Sequence, residues 1–216
     1  MPVRTMTTVK PRAVPSKPRC PWPTFDDPLY LTYHDEEWGV PLHDDRRIFE
    51  FLVLEAFQAG LSWRTVLYKR PAFRRAFAGF DPRRVAGFGR RDMARLVTDA
   101  TIIRNRQKIQ AAIVNAQRFL EVQRECGAFA RYMWSWVGDR PIQHHLRTLK
   151  DYPVTTDEAV AWAKDLKQRG FKFLGPTVLY AHMQAAGMVN DHTVTCFRYR
   201  EITVCRRAVL AAVKAL

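Results

Sequence analysis

"RGFKFLGP", residues 169–176, decides how the rest of the chain is read. The stretch leading into it, "TTDEAVAWAKDLKQRG", sets Ala159, Val160, Ala163 and Leu166 on one helical face behind Thr156 as N-cap, and Gly170 supplies the stop. The stretch leaving it, "PTVLYAHMQAAG", begins on Pro176, whose missing N–H is harmless in a first helical turn. Two helices joined by so short a Gly-bounded turn can aim the free N–H groups of the second at a phosphate. They can equally form an ordinary αα-corner in a bundle. The residues alone leave both readings open.

Just beyond lies "MVNDHTVTC", residues 188–196, with His192 and Cys196 four positions apart. On a helix such a pair shares a face and could point an imidazole and a thiolate at one ion. A buried polar group beside a small hydrophobe is the plainer reading. Toward the N-terminus the same 3.6-residue period recurs. Ile48 to Leu61 fits a helix capped by "DD" at 44–45 and closed by Gly60, and Ser62 caps a second helix that Pro71 is expected to bound. "FDPRRVAGF" and "RRDMARLVTDATI" give shorter helices, "NRQKIQAAIVNAQRFLEVQREC" a long one ending at Gly127, and "FARYMWSWVGDRP" a short apolar one. "IQHHLRTLKDYPV" reads as a connecting loop. Strand-like alternation is nearly absent and no repeat occurs, so the fold class is all-α.

Residues 1–19 carry four prolines and five basic residues without apolar period and read as a flexible basic arm. The end, 198–216, reads as a basic amphipathic helical extension, which leaves 20–197 as the working domain. Thirty-five Lys and Arg against 21 Asp and Glu give a net charge of +14, which points to a polyanionic partner. No apolar run approaches the roughly 18 residues of a membrane span. The first residues lack the apolar core of a secretory signal, so the four cysteines are expected as thiols in a reducing cytoplasm. Two further stretches stand out. "LEAFQAGLSW", 54–63, places Glu55 on an apolar helix, a costly carboxylate unless it is paired or kept for function. "PLYLTYHDEEWG", 28–39, crowds Tyr30, Tyr33, His34 and Trp38 in a pattern that suits a flat base or a core.

Together, "CPWP", "DPLYLTYHDEEWGVPLHDDRRIFEFLVLEAFQAGLSWRTVL", "IIRNRQKIQAAIVNA" and "RGFKFLGPTVLYAHMQAAGMVNDHTVTC" resemble the 3-methyladenine DNA glycosylase I family, in order, from about Cys20 to about Phe197. The resemblance implies a helix-hairpin-helix glycosylase fold and hydrolytic excision of 3-methyladenine from alkylated double-stranded DNA by a monomeric cytoplasmic, nucleoid-associated enzyme. A noncatalytic zinc-stapled DNA-binding protein of the same fold is the alternative. It implies one structural Zn2+ on Cys20, His34, His192 and Cys196, tying the N-terminal to the C-terminal segment and leaving Cys126 and Cys205 as ordinary thiols. It implies Glu55 as the catalytic group in a base pocket walled by Trp22, Tyr33 and Trp63, and a DNA-backbone hairpin using Gly170, Lys172, Gly175 and Thr177. Bifunctional relatives would carry a Lys at the position of Thr177, so no strand cleavage is expected. Asn190 stands where many relatives in the superfamily carry a catalytic Asp, and Asp191 is one step off. That fits a base already cationic and ready to leave. Thr101, Ala56 and His182 depart from the family pattern.

Overall fold

The computed structural model describes residues 17–23 and 26–202. Nine α-helices lie wholly within these residues: α1 Pro28–Thr32, α2 Asp45–Gln58, α3 Trp63–Ala76, α4 Pro82–Ala86, α5 Arg90–Thr98, α6 Arg106–Cys126, α7 Phe129–Ser135, α8 Asp157–Gln168 and α9 Pro176–Ala185. A π-helical turn, Tyr33–Glu37, continues α1, and 3₁₀ turns fall at Ala78–Phe80 and Leu149–Asp151.

The centre is α2, in which every residue from Ile48 to Phe57 is buried. A helix apolar on all sides needs neighbours on all sides, and α3, α6, α7 and α9 surround it. Its ends are tied by side chains. Asp44 accepts from Arg47 N (2.8 Å) at the N-terminus, and Lys108 Nζ donates to the Phe57 and Ala59 carbonyls (2.9 and 2.6 Å) at the C-terminus. Gly60 then takes φ +81°, a left-handed residue that turns the chain toward α3.

Two expectations need correction. Pro71 does not bound α3 but lies inside it, on the solvent face. The missing N–H costs one hydrogen bond there, while Leu67, Ala72, Phe73 and Ala76 bury the opposite face and carry the helix through. Second, the stretch read as a connecting loop contains a short strand, and residues 188–196, where the His192–Cys196 spacing could have fitted one helical face, are not helical. Val189–Asn190 (β2) pairs in parallel with Ile142–Gln143 (β1) inside the stretch read as a loop, and a turn follows from Asp191 to Cys196. This two-residue pair is the one sheet among the described residues of an otherwise helical fold.

Helical structure resumes at Phe197 and runs to residue 202, and the rest of the expected extension, with Cys205, lies outside the described residues. So do residues 1–16 of the basic stretch. Its last residues dock on the body: Phe197 N donates to Pro18 O (2.9 Å) and Arg19 holds Asp35 through Nε (2.9 Å) and the terminal nitrogen (2.7 Å). No helix among the described residues is long and apolar enough to cross a membrane.

Candidate active site and metal centre

The π turn at Tyr33–Glu37 organises both candidate sites. Its wider i→i+5 bond, Trp38 N to Tyr33 O at 2.9 Å, changes the direction in which successive side chains leave the backbone. Tyr33 turns into a cleft, and the adjacent His34 turns into a cluster of sulfur and nitrogen atoms. An ion-pair network on the far side fixes the turn. Arg70, itself buried, donates to both Glu37 oxygens (2.9 and 2.8 Å) and to Glu50 (2.7 Å).

The cleft has a volume of about 320 Å3. It brings together all four residues implied for the base pocket, Trp22, Tyr33, Glu55 and Trp63. Tyr33 and Trp63 lean on each other with ring centroids 5.2 Å apart, and Trp22 meets Trp38 edge-on at 4.8 Å. Glu55 is 3% exposed, and burial alone pushes its carboxyl group up to about 8. An uncompensated carboxyl among rings favours any arriving cation. Tyr33 stays protonated, pushed well above its usual range by burial and then by the nearby Glu55 and Glu37. The indole N–H groups of Trp22 and Trp63 are buried with no protein partner, so the cleft wall also offers donors.

Sequence reasoning missed Gln58, Leu149, Tyr152, Ala181 and Gln184 in this lining. Gln58 lies one turn beyond Glu55 and could have been found by helical spacing. Tyr152 comes from the aperiodic segment between α7 and α8 and carries no local signal. Of the three departures from the family pattern, none lines the cleft. His182 is buried instead in the core near Trp162, with both ring nitrogens unpartnered and its basicity depressed to about 3 by burial.

Cys20, His34, His192 and Cys196 are all buried, and their ligand atoms lie within 4.8 Å of one another. Three of the separations are 3.4 Å (Cys20 Sγ to His192 Nδ1), 3.5 Å (Cys196 Sγ to His192 Nδ1) and 3.6 Å (Cys196 Sγ to His34 Nε2). Sulfur at about 2.3 Å and nitrogen at about 2.0–2.1 Å from a tetrahedral ion would stand about 3.5 Å apart. The far ring nitrogens fit the same chemistry: His34 Nδ1 faces Asp35 (2.8 Å) and His192 Nε2 faces the Trp38 carbonyl (3.0 Å). Each acceptor fixes the proton on the outer nitrogen and leaves the inner lone pair for a metal. Thr193 N points at Cys20 Sγ (3.4 Å), and the Cys196 thiol, then Thr193, draws the Cys20 thiol down to about 7. The four residues therefore fit a closed metal site.

Asn190 and Asp191 are both spent on structure. Asn190 donates to Gln143 Oε1 and to the Tyr199 carbonyl (3.1 Å each). Asp191 accepts from the Tyr180 hydroxyl (2.6 Å) and Gln184 Nε2 (2.7 Å) and pairs with His144 Nδ1 (2.6 Å), which raises the His144 pKa. Neither lines the cleft.

The turn between α8 and α9 is clamped by α6. Asn115 accepts from Lys172 N (2.7 Å) and donates to Lys172 O (2.9 Å). Gly170 takes φ +88°, and Gly175 stands at the N-cap of α9 with no side-chain cap and no acidic residue in the first turn. The N–H groups of that first turn are thus free for an anion.

The sequence pattern described as methyladenine glycosylase matches residues 22–199 of this chain. Escherichia coli DNA-3-methyladenine glycosylase 1 is 49% identical over 181 residues, which is 84% of this chain and 96% of that protein. A crystal structure of 3-methyladenine DNA glycosylase I matches with a TM-score of 0.81 and 48% identity, covering 83% of this chain and 98% of that one. A point variant of 3-methyladenine DNA glycosylase I in complex with 3-methyladenine matches with a TM-score of 0.78 and 39% identity, covering 80% of this chain and 92% of that one.

Proposed function

This chain belongs to the methyladenine glycosylase family, and we propose that its cleft excises 3-methyladenine from alkylated double-stranded DNA by hydrolysis. The observation that carries this reading is Glu55, buried without a compensating charge among the rings of one cleft. A nucleotide methylated at adenine N3 carries a fixed positive charge. Extruding it costs a few kcal/mol, less for a damaged base that pairs poorly. In the cleft, the Tyr33, Trp22 and Trp63 rings face the cation with their electron-rich surfaces, and Glu55 opposes its charge and accepts from the exocyclic amine. Neutral adenine gains little from either. Selectivity therefore rests on charge, and leaving-group departure needs no second carboxylate, which agrees with Asn190 and Asp191 being held in structural networks.

Strand cleavage would require an amine to attack the sugar and form a Schiff base. The position two beyond Gly175 is Thr177, which has none. The expected product of treating a methylated duplex is free 3-methyladenine and an intact abasic strand, and borohydride should trap no enzyme–DNA adduct. Absence of released base would overturn the function, and a trapped adduct would overturn the hydrolytic route.

In this reading Gly170, Lys172, Gly175 and Thr177 hold the DNA backbone, with the uncapped amides of α9 on one phosphate. The metal of the Cys20, His34, His192, Cys196 site is Zn2+. With four protein ligands it serves to join the two ends of the domain 20–197 and leaves no position for a reactive water. A monomer acting in the cytoplasm on nucleoid DNA fits the charge and the cleft. Affinity for duplex should fall linearly, log against log, with added salt.

A further inference from the structure

The short β1–β2 pair places His144 beside Asp191. Its register sets Gln143 against Asn190, and the His144 amide donates to the Asn190 carbonyl (3.3 Å). His144 Nδ1 then meets Asp191 Oδ1 at 2.6 Å. The second carboxylate oxygen, Oδ2, accepts from the Tyr180 hydroxyl (2.6 Å) and from Gln184 Nε2 (2.7 Å). Asp191 is buried, and the last torsion of an aspartate is soft, so partners on both oxygens set the plane of its carboxylate. Without His144, Oδ1 would be buried without its donor and the plane would be free to turn.

Of these three partners of Asp191, Gln184 alone lines the cleft, together with Ala181 one turn earlier on α9. The Gln184 backbone is held as well, its carbonyl accepting from Gly39 N (3.1 Å). A carboxylate only accepts, so the amide nitrogen of Gln184 must face Asp191 and the carbonyl oxygen must point elsewhere. A carboxamide without such a partner is free to flip, and a flipped one would offer a donor, which repels a cation. Building on the proposed function, we infer that His144 is a positioning residue for base recognition: through Asp191 it fixes the Gln184 carboxamide with its carbonyl dipole turned to the cationic base. His144 itself touches neither the base nor the cleft.

The test combines release of 3-methyladenine from alkylated duplex with exchange of the Gln184 side-chain amide protons by NMR. The proteins are the wild type, His144→Leu, His144→Asn, Gln184→Leu and the His144→Leu, Gln184→Leu double variant, all below the lowest Tm of the set. His144 is partly exposed, so these changes leave the core intact. His144→Leu has no donor, and kcat/KM should fall about five- to tenfold, the scale of one hydrogen bond, while affinity for undamaged duplex holds. Asn carries an N–H near the place of Nδ1, so His144→Asn should regain most of the loss, which packing alone would not restore. Gln184→Leu should lose as much as His144→Leu, and the double variant no more than either, because His144 acts through that carboxamide. The Gln184 amide protons should exchange slowly in the wild type and His144→Asn and faster in His144→Leu. Losses that multiply in the double variant, or exchange that His144→Leu leaves unchanged, would overturn the assignment. A wild type that releases no 3-methyladenine, with the exchange effects intact, would fault the excision reading and leave the positioning of Gln184 standing.

Discussion

Glu55→Gln should lower release of 3-methyladenine from alkylated duplex by about 10²–10³-fold, the loss seen when one preorganised electrostatic group is removed from a water-poor site. The pH dependence identifies the cause. The free carboxyl titrates at about 8, raised by burial, so at neutral pH most molecules hold it protonated. The methylated nucleotide is a cation at every pH, and only the ionised carboxylate opposes its charge. kcat/KM should therefore rise about tenfold per pH unit below 8 and level off above it. The Gln variant should be low and flat through the same range. A variant with full activity, or a wild type with no rise, would remove Glu55 from its role.

The same shift has a consequence for stability. The folded pKa lies above the unfolded value near 4.5. The favourable contribution is therefore complete below 4.5 and is lost as pH rises through 8, a loss of the order of 5 kcal/mol. Glu55→Gln removes that penalty. The variant should melt above the wild type at pH 9, and the gap should close toward pH 4.5. A group placed for packing would not be expected to trade activity against alkaline stability in this way.

What was legible in the sequence follows the range of the interactions. Asp44, Ser62, Thr156 and Gly127 mark helix ends because a cap acts on residues three or four away, and the structure places all four at those ends. Pro71 misleads because the cost of a missing N–H is local, while the burial that outweighs it comes from neighbouring helices. His192 and Cys196 do converge, but through a turn rather than one helical face. Their partners Cys20 and His34 are more than 150 residues away, and only the family resemblance connects them. The cleft divides the same way. Glu55 and Trp63 flank one readable turn, whereas Tyr152 and Gln184 reach the cleft from segments whose placement depends on the whole fold. The left-handed Phe173 leaves no trace in composition, since nothing about a Phe announces that φ.

Removing the metal should be felt as lost stability, with catalysis per folded molecule unchanged. Cys20 and His192 are 172 positions apart, and their ligand atoms meet at 3.4 Å. A metal there closes most of the domain into one loop and binds the folded state in preference to the unfolded one. Even an ion present at only about 1,000 times its dissociation constant contributes about 4 kcal/mol, which for a chain of this size is about 8–16 °C in Tm. Cys196→Ser, or treatment of the wild type with a strong chelator, should lower Tm by at least that much and bring bound metal from about one ion per chain to near none. Cys126→Ser, at a half-buried thiol outside the cluster, should change neither. Gly39→Ala gives an independent route. Its φ of +78° disfavours a side chain, and a Cβ there would stand 2.9 Å from His192 Nε2, on the nitrogen that the Trp38 carbonyl holds. That variant should weaken metal retention while leaving all four ligands in the sequence. None of the four ligands lines the cleft, and Arg70 holds the π turn independently through Glu37. Activity should therefore decline only above the lowered Tm, whereas an equal decline at temperatures where the fold is intact would place the metal in the chemistry instead.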